Sequence, residues 1–225
     1  LATMGLVERA VALGVRQFIY ASSGSVYGVK EEEQVTEDLP LVPISDYNKT
    51  KMISERVLLS YQDRITIQCI RPATVCGVSP RMRLDLSVNM LTMQALTKSR
   101  ITVFGGKQTR PNITIMDMVD VYRHFLRLGA SVPGIYNAGF ENISILDIAQ
   151  MVTRFVPAEI VVTESNDPRS YRQNSDKLLS TGFSPRYRVE DAIQQVIEAY
   201  RAGNLKDDEG CYNLKAMKKI QQLWT

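Results

Sequence analysis

Phe18-Ile19-Tyr20-Ala21-Ser22-Ser23-Gly24-Ser25-Val26-Tyr27-Gly28 is an apolar run that stops in a cluster of serines and glycines. Continuous apolarity after Gln17 predicts a strand over 17–21, of the kind found in a parallel sheet covered on both faces. The Ser/Gly cluster predicts the turn that ends it. Upstream, Met4, Val7, Ala10 and Val11 fall at helical spacing before Gly14, a helix stop. Downstream, Met52, Ile53, Val57 and Leu58 recur at helical spacing within 47–61, with Ser45 or Asp46 available as the cap. A further strand reads over 65–70. Helix, strand, helix, strand with short links implies crossover units on a parallel sheet, and hence an α/β fold.

The pattern loosens over 72–84, as an insertion would, and resumes as a helix near 86–96 and a strand over 101–104 that meets Gly105-Gly106. A helix runs from Thr114 to about residue 128, followed by a short strand over 135–138. Ser144-Ile145-Leu146-Asp147 has the spacing of a capping box and opens a helix to about residue 155. Further elements read at 160–163, 176–179 and 189–200. A terminal helix follows, with Leu214, Met217, Ile220 and Leu223 spaced by three, most simply docked on its own domain.

The chain has 225 residues and is 44% hydrophobic, enough for a real core. No apolar run approaches the roughly 18 residues of a membrane span, and no signal peptide is recognisable, so a cytoplasmic setting is expected. Cys69, Cys76 and Cys211 lack metal-ligand spacing, which points to reduced thiols and no metal centre. A net charge of +3, with 27 dispersed basic residues, argues against a nucleic-acid partner.

The candidate chemistry lies in Tyr47-Asn48-Lys49-Thr50-Lys51. A spacing of four puts the Tyr47 phenol and the Lys51 ammonium on one helix face. A tyrosine ordinarily titrates near about pH 10, and an adjacent lysine cation favours its phenolate. Such a tyrosine can exchange a proton with an alcohol, and a serine hydroxyl at the adjacent strand end can bind the same oxygen. The pattern alone also fits a solvated lysine beside a half-buried tyrosine. The serine-bearing strand upstream is what gives it meaning. His124, inside a helix and without an acid or serine partner nearby in sequence, reads as structural, and Tyr27 as a packing and cleft residue.

Residues 18–28, with Tyr47 and Lys51 at the separation found there, resemble the catalytic segment of the extended short-chain dehydrogenases/reductases, the nucleotide-sugar epimerases and dehydratases. Aligning Val26-Tyr27-Gly28 with the V-Y-G of that family makes Ser23 the catalytic hydroxyl and Ser22 the fallback. Arg71-Pro72-Ala73-Thr74-Val75-Cys76-Gly77 is similar to its R-P-x-x-V-Y-G, with Pro72 on the nicotinamide side and Cys76 where tyrosine is usual. Asn89 matches an asparagine that binds the nucleotide-sugar diphosphate. Arg110 falls where an arginine binds the same group, although the aspartate and histidine usual in the segment that follows are replaced. Asp167-Pro168-Arg169-Ser170-Tyr171 resembles a late motif whose arginine reaches the sugar nucleotide, a task suited to a planar bidentate donor.

The resemblance implies a partial Rossmann-type, doubly wound parallel sheet with a smaller C-terminal substrate-binding lobe. Residues 1–74 would belong to the dinucleotide-binding domain and 75–203 mostly to the substrate lobe. Of these, 101–130 would return partly to the first domain, and 204–225 would form a tail helix. The implied catalytic set is Ser23, Tyr47 and Lys51. Ser22, Tyr47, Lys51 and Pro72 would face the cofactor, NAD rather than NADP, and Ser25, Arg83, Asn89, Arg110 and Arg169 the substrate, a nucleoside-diphosphate sugar. Epimerisation through transient oxidation of a sugar hydroxyl, at C4, is the expected reaction of a homodimer. The Asp-Glu pair that a 4,6-dehydratase carries after its catalytic threonine is Gly24-Ser25 here, which disfavours dehydration. A dehydrogenase or reductase, or a non-catalytic binding module or inactive fragment, are the other readings. The chain opens at Leu1 and contains no G-x-x-G-x-x-G turn, so roughly one hundred further residues carrying it are expected upstream.

Overall fold

The computed structural model describes residues 2–164 and 170–222. Helix α1 (Ala2–Ala12) ends before Gly14, whose φ of 71° lets the chain reverse. Strand β1 (Gln17–Ala21) follows, then a 3-10 turn (Gly24–Tyr27), helix α2 (Asp46–Leu59) and strand β2 (Thr66–Pro72). Of the two residues available as cap of α2, Ser45 holds the place, its side chain accepting from Asn48 N. The next elements are β3 (Thr74–Cys76), α3 (Ser87–Lys98), β4 (Arg100–Phe104), β5 (Thr109–Thr114), α4 (Ile115–Leu128) and β6 (Gly134–Ala138). They are followed by β7 (Glu141–Ser144), α5 (Ile145–Thr153), β8 (Glu159–Thr163), α6 (Asp176–Leu179), α7 (Val189–Arg201) and α8 (Asn213–Gln222). At the start of α5 the Ser144 hydroxyl caps the helix by accepting from Asp147 N, and it donates to Asp147 Oδ2, so the carboxylate meets the cap's hydroxyl in place of the backbone N–H of a full capping box.

β1, β2 and β6 form a parallel sheet in that order, with Ala21 opposite Ile70 and Arg71 opposite Asn137. β2 at its centre is covered on both faces. Ile67 and Cys69 pack with Val7 of α1 and Leu58 of α2, while Ile70 packs on the other face with Val121 and Phe125 of α4. Helices on both faces of a parallel sheet make this a doubly wound α/β arrangement of Rossmann type. β1 departs from the expectation of full cover: its residues are only partly buried and Ala21 is exposed. It pairs with β2 alone among the described strands, so its outer side lacks a neighbour there.

Two smaller sheets lie beyond, β3-β5-β7 and β4-β8. Their core joins α3, α5 and α7 through Val88, Leu91, Ile148, Val152, Ile193 and Ile197. β3, β5 and β7 are too short and too polar to show a clear period in sequence. Arg110, which falls between the strand over 101–104 and the helix from Thr114 read in the sequence, lies on β5. The terminal helix also differs from expectation: Leu214, Met217 and Ile220 of α8 are exposed rather than packed on their own domain. All three cysteines are free, and burial pushes the thiols of Cys69 and Cys76 up to about 12. No helix among the described residues is long and apolar enough to cross a membrane.

Candidate active site

A cleft of about 660 Å³ opens where β1 and β2 end, the position at which open parallel sheets bind ligands. Ser22, Ser23, Ser25, Tyr47, Pro72, Arg83 and Asn89 all line it. Residues chosen from separate stretches of sequence thus meet in one cleft.

The serine turn is held by its own hydroxyls. Ser23 caps the 3-10 turn, its Oγ accepting from Ser25 N at 3.2 Å, and the two serine oxygens lie 2.7 Å apart. Ser25 Oγ donates its hydrogen to Asn48 Oδ1 at 2.8 Å. A hydroxyl has one hydrogen, so in the pair of serines it is Ser23 that donates. Ser22 Oγ is buried on the cleft wall with no hydrogen-bond partner among the described residues.

Tyr47 stands in the first turn of α2, 57% exposed and facing the cleft. Lys51, one turn on, does not line the cleft. Its Nζ donates to Ala21 O at 2.7 Å and lies 5.7 Å from the centre of the Tyr47 ring. Burial pulls its ammonium below the ordinary lysine value. The same Nζ lies 5.0 Å from the Tyr20 ring, so the cation sits between two aromatic faces.

The substrate-side candidates separate. Asn89 is buried, and its amide is occupied within the chain: Oδ1 accepts from Gly77 N at 2.9 Å, and Nδ2 donates to Arg83 O at 2.9 Å and Gly77 O at 3.3 Å. It therefore shapes the 77–83 segment. Arg83 forms a two-pronged ion pair with Asp85, at 2.9 and 3.1 Å. Arg110 lines a side pocket of about 270 Å³, together with Ser87, Phe104 and Gln108, that shares Thr74 and Leu86 with the main cleft. Arg169 lies outside the described residues.

Tyr27 is fully buried and is absent from the cleft wall, contrary to half of its sequence reading, because its ring sits in the core against Val26 and Val35. Burial pushes its phenol up to about 12, so it is no base. His124 pairs with Thr181 Oγ1 at 2.8 Å, as a structural histidine would. Residues not singled out from sequence also border the two pockets. Arg81, Tyr171, Asn213 and Met217 line the main cleft, and Phe104, 55% exposed, lines the side pocket. Arg81 Nη2 donates to Asn213 Oδ1 at 3.0 Å, and Asp85 Oδ2 accepts from Asn213 N, which fastens the start of α8 at the cleft. Phe104 had a signal in sequence, a strand terminating in Phe-Gly-Gly, and Tyr171 stood at the end of the late arginine motif, whereas Arg81 and Asn213 had none.

Residues 1–139 match the family model described as the NAD dependent epimerase/dehydratase family. A UDP-glucose 4-epimerase of Lactobacillus helveticus is 26% identical over 218 residues, covering 84% of this chain and 66% of that protein. A dTDP-D-glucose 4,6-dehydratase of Mus musculus is 27% identical over 214 residues, covering 87% of this chain and 59% of that one. Among solved structures, the UDP-glucuronic acid 4-epimerase of Bacillus cereus, in complex with UDP-glucuronic acid and NAD, superposes with a TM-score of 0.78 at 28% identity. That match covers 89% of this chain and 66% of the other. The chain thus spans about two thirds or less of the length of these relatives.

Proposed function

The chain belongs to the NAD dependent epimerase/dehydratase family, and from that membership we propose that it serves an NAD-dependent epimerase of a nucleoside-diphosphate sugar. The observation that carries the reading is the convergence of Ser23 and Tyr47 in one cleft, with Lys51 Nζ 5.7 Å from the centre of the Tyr47 ring. Tyr47 takes the proton of a sugar hydroxyl, at C4 in this reading, and Lys51 balances the negative charge as that proton moves. Ser23 turns its hydroxyl from Ser25 to the reacting oxygen, exchanging one hydrogen bond for another. The keto-sugar then turns over in the cleft and is reduced on the opposite face of the carbon, which inverts it, while Tyr47 gives the proton back to the oxygen.

The residues fit the nicotinamide end of the cofactor. Ser22 Oγ is a buried polar atom on the cleft wall without a partner among the described residues, Pro72 lines the same cleft, and Lys51 is one helical turn from Tyr47. When bound, NAD supplies the two-electron acceptor that the sugar carbon requires. The diphosphate falls to Arg83 and Arg110, with Arg169 as a further arginine. The exposed ring of Phe104 suits a nucleobase face in the side pocket. Residues 1–74 then serve the dinucleotide and 75–203 mostly the sugar nucleotide, in a cytoplasmic homodimer.

Dehydration is the less favoured reading on a steric observation. A Cβ at position 24 would stand 2.9 Å from Gln173 Oε1, the movable end of a side chain, and 3.1 Å from the backbone Pro72 O, a tight fit for the acid expected there. The test is to incubate the intact protein with a panel of nucleotide sugars and follow both product isomers and NADH absorbance. Isomers without NADH build-up support the epimerase; accumulating NADH means a dehydrogenase; a 4-keto-6-deoxy product means a dehydratase. Tyr47→Phe should lower turnover by about 10²-fold or more with sugar-nucleotide binding retained, and retained turnover removes Tyr47 from its role.

A further inference from the structure

Tyr47, Lys51 and Glu55 follow one another at intervals of four and therefore share one face of α2. The first faces the cleft and the second grips the end of β1. The third is buried, 1% exposed, and its carboxylate meets Arg71 of β2 in a two-pronged ion pair, Nε to Oε1 at 2.9 Å and Nη2 to Oε2 at 2.7 Å. Arg71 is itself 2% exposed and touches neither cleft wall nor solvent. Its Nη1 donates to Tyr27 Oη at 2.8 Å, and Tyr27 donates to Asn137 Oδ1 of β6 at 2.7 Å. The Asn137 amide group is in turn used up on Val35 O and Asn174 O, both at 3.0 Å.

Tyr27 closes the same turn that Ser23 opens. The turn is therefore joined to α2 twice, through Ser25 to Asn48 near the helix start and through Tyr27 and Arg71 to Glu55 two turns along. One link could act as a hinge; two links, two residues apart on the turn and seven apart on the helix, form a closed frame. A buried ion pair gives little net stability over well-packed apolar side chains of similar volume, so its presence here calls for another use. The Arg71 guanidinium makes four directed bonds, the fourth from Nη1 to Glu37 O at 3.3 Å, and such a group fixes the angle and register of what it joins, which apolar packing does not.

We propose that Glu55, Arg71 and Tyr27 are positioning residues, a buried clamp that sets the register of α2 on the sheet and so the placement of Tyr47 and Lys51 against Ser23. The inference rests on the epimerase reading for its catalytic readout, and a second measurement stands apart from it.

Two variants of the intact protein test it, with whatever dinucleotide the protein carries. Glu55→Leu combined with Arg71→Met replaces the pair by apolar side chains, and Tyr27→Phe deletes one hydroxyl while keeping the ring. The double variant should match the wild type in urea-unfolding midpoint, yet show kcat lowered by about tenfold with KM for the sugar nucleotide within about twofold. Tyr27→Phe should shift kcat in the same direction by a smaller factor. A folded double variant with wild-type kcat overturns the clamp; if it does not fold, an unchanged kcat in Tyr27→Phe does so. If the wild type turns over no nucleotide sugar, the epimerase reading fails and the clamp is judged by NMR titration of the Lys51 Nζ resonance, identified by its loss in Lys51→Arg. Loosening α2 should move that titration toward the ordinary lysine value in both variants; the same titration as in the wild type overturns the proposal.

Discussion

Ser25 Oγ donates to Asn48 Oδ1 at 2.8 Å, a bond between a turn that follows β1 and the first turn of α2, 23 residues later in the chain. It consumes the only hydrogen of Ser25 and thereby decides that Ser23 is the donor in the serine pair. The hydroxyl proposed to meet the substrate is thus directed before any substrate arrives.

Ser25→Ala removes both the tether to α2 and the acceptor for Ser23. We expect kcat to fall by about tenfold, roughly 1.4 kcal/mol in barrier, with a smaller change in KM. Asn48→Ala should have a similar effect through the same link. Steady-state kinetics on the two single variants and the double variant check this: a shared link makes the double variant little worse than either single one.

Asn89 offers a contrast, since its amide is committed to Gly77 and Arg83 of its own chain. Asn89→Leu leaves the buried Gly77 N without its partner and releases the 77–83 segment. Loss of about 2–4 kcal/mol in urea unfolding is expected. If stability is kept and only sugar-nucleotide affinity falls, Asn89 is a ligand contact rather than a strut.

His124 makes stability depend on pH. Burial and then the charge of Arg127 hold its imidazole below the ordinary histidine value, while in the unfolded chain it titrates normally. As pH falls through about 6.5 the unfolded state takes up the proton first, so stability drops until the folded value is also passed. His124→Gln should flatten the thermal-unfolding curve between about pH 7 and about pH 5 relative to wild type. Parallel curves for the two proteins would mean that another group governs the window.

The first half of the chain was legible because its signals are local. β1 coincides with its reading, α2 begins at its expected cap, and the Tyr47 and Lys51 spacing needs only a helix to bring the two together. What stayed hidden depends on distance in sequence. Arg71 reads as part of a motif, and nothing near it announces Glu55, Tyr27 or Asn137 as its neighbours. The strands β3, β5 and β7 are three to six residues long, too short for a period, and exist through pairing with one another. α8 was foreseen from its spacing of three, but the meaning of that spacing was not. Its start is fastened by Arg81 and Asp85 at the cleft, which Met217 borders, while Leu214 and Ile220 are exposed.

The uneven burial of the three thiols makes the molecule its own instrument. Cys69 and Cys76 are shielded and hold their protons to about 12, whereas Cys211 is only partly covered and stands two residues before α8. A maleimide dye added near neutral pH should therefore attach at one place, beside the helix whose Asn213 and Met217 border the cleft. Its emission would follow that helix as ligands enter, with no engineered cysteine and no change to the residues proposed to do the chemistry.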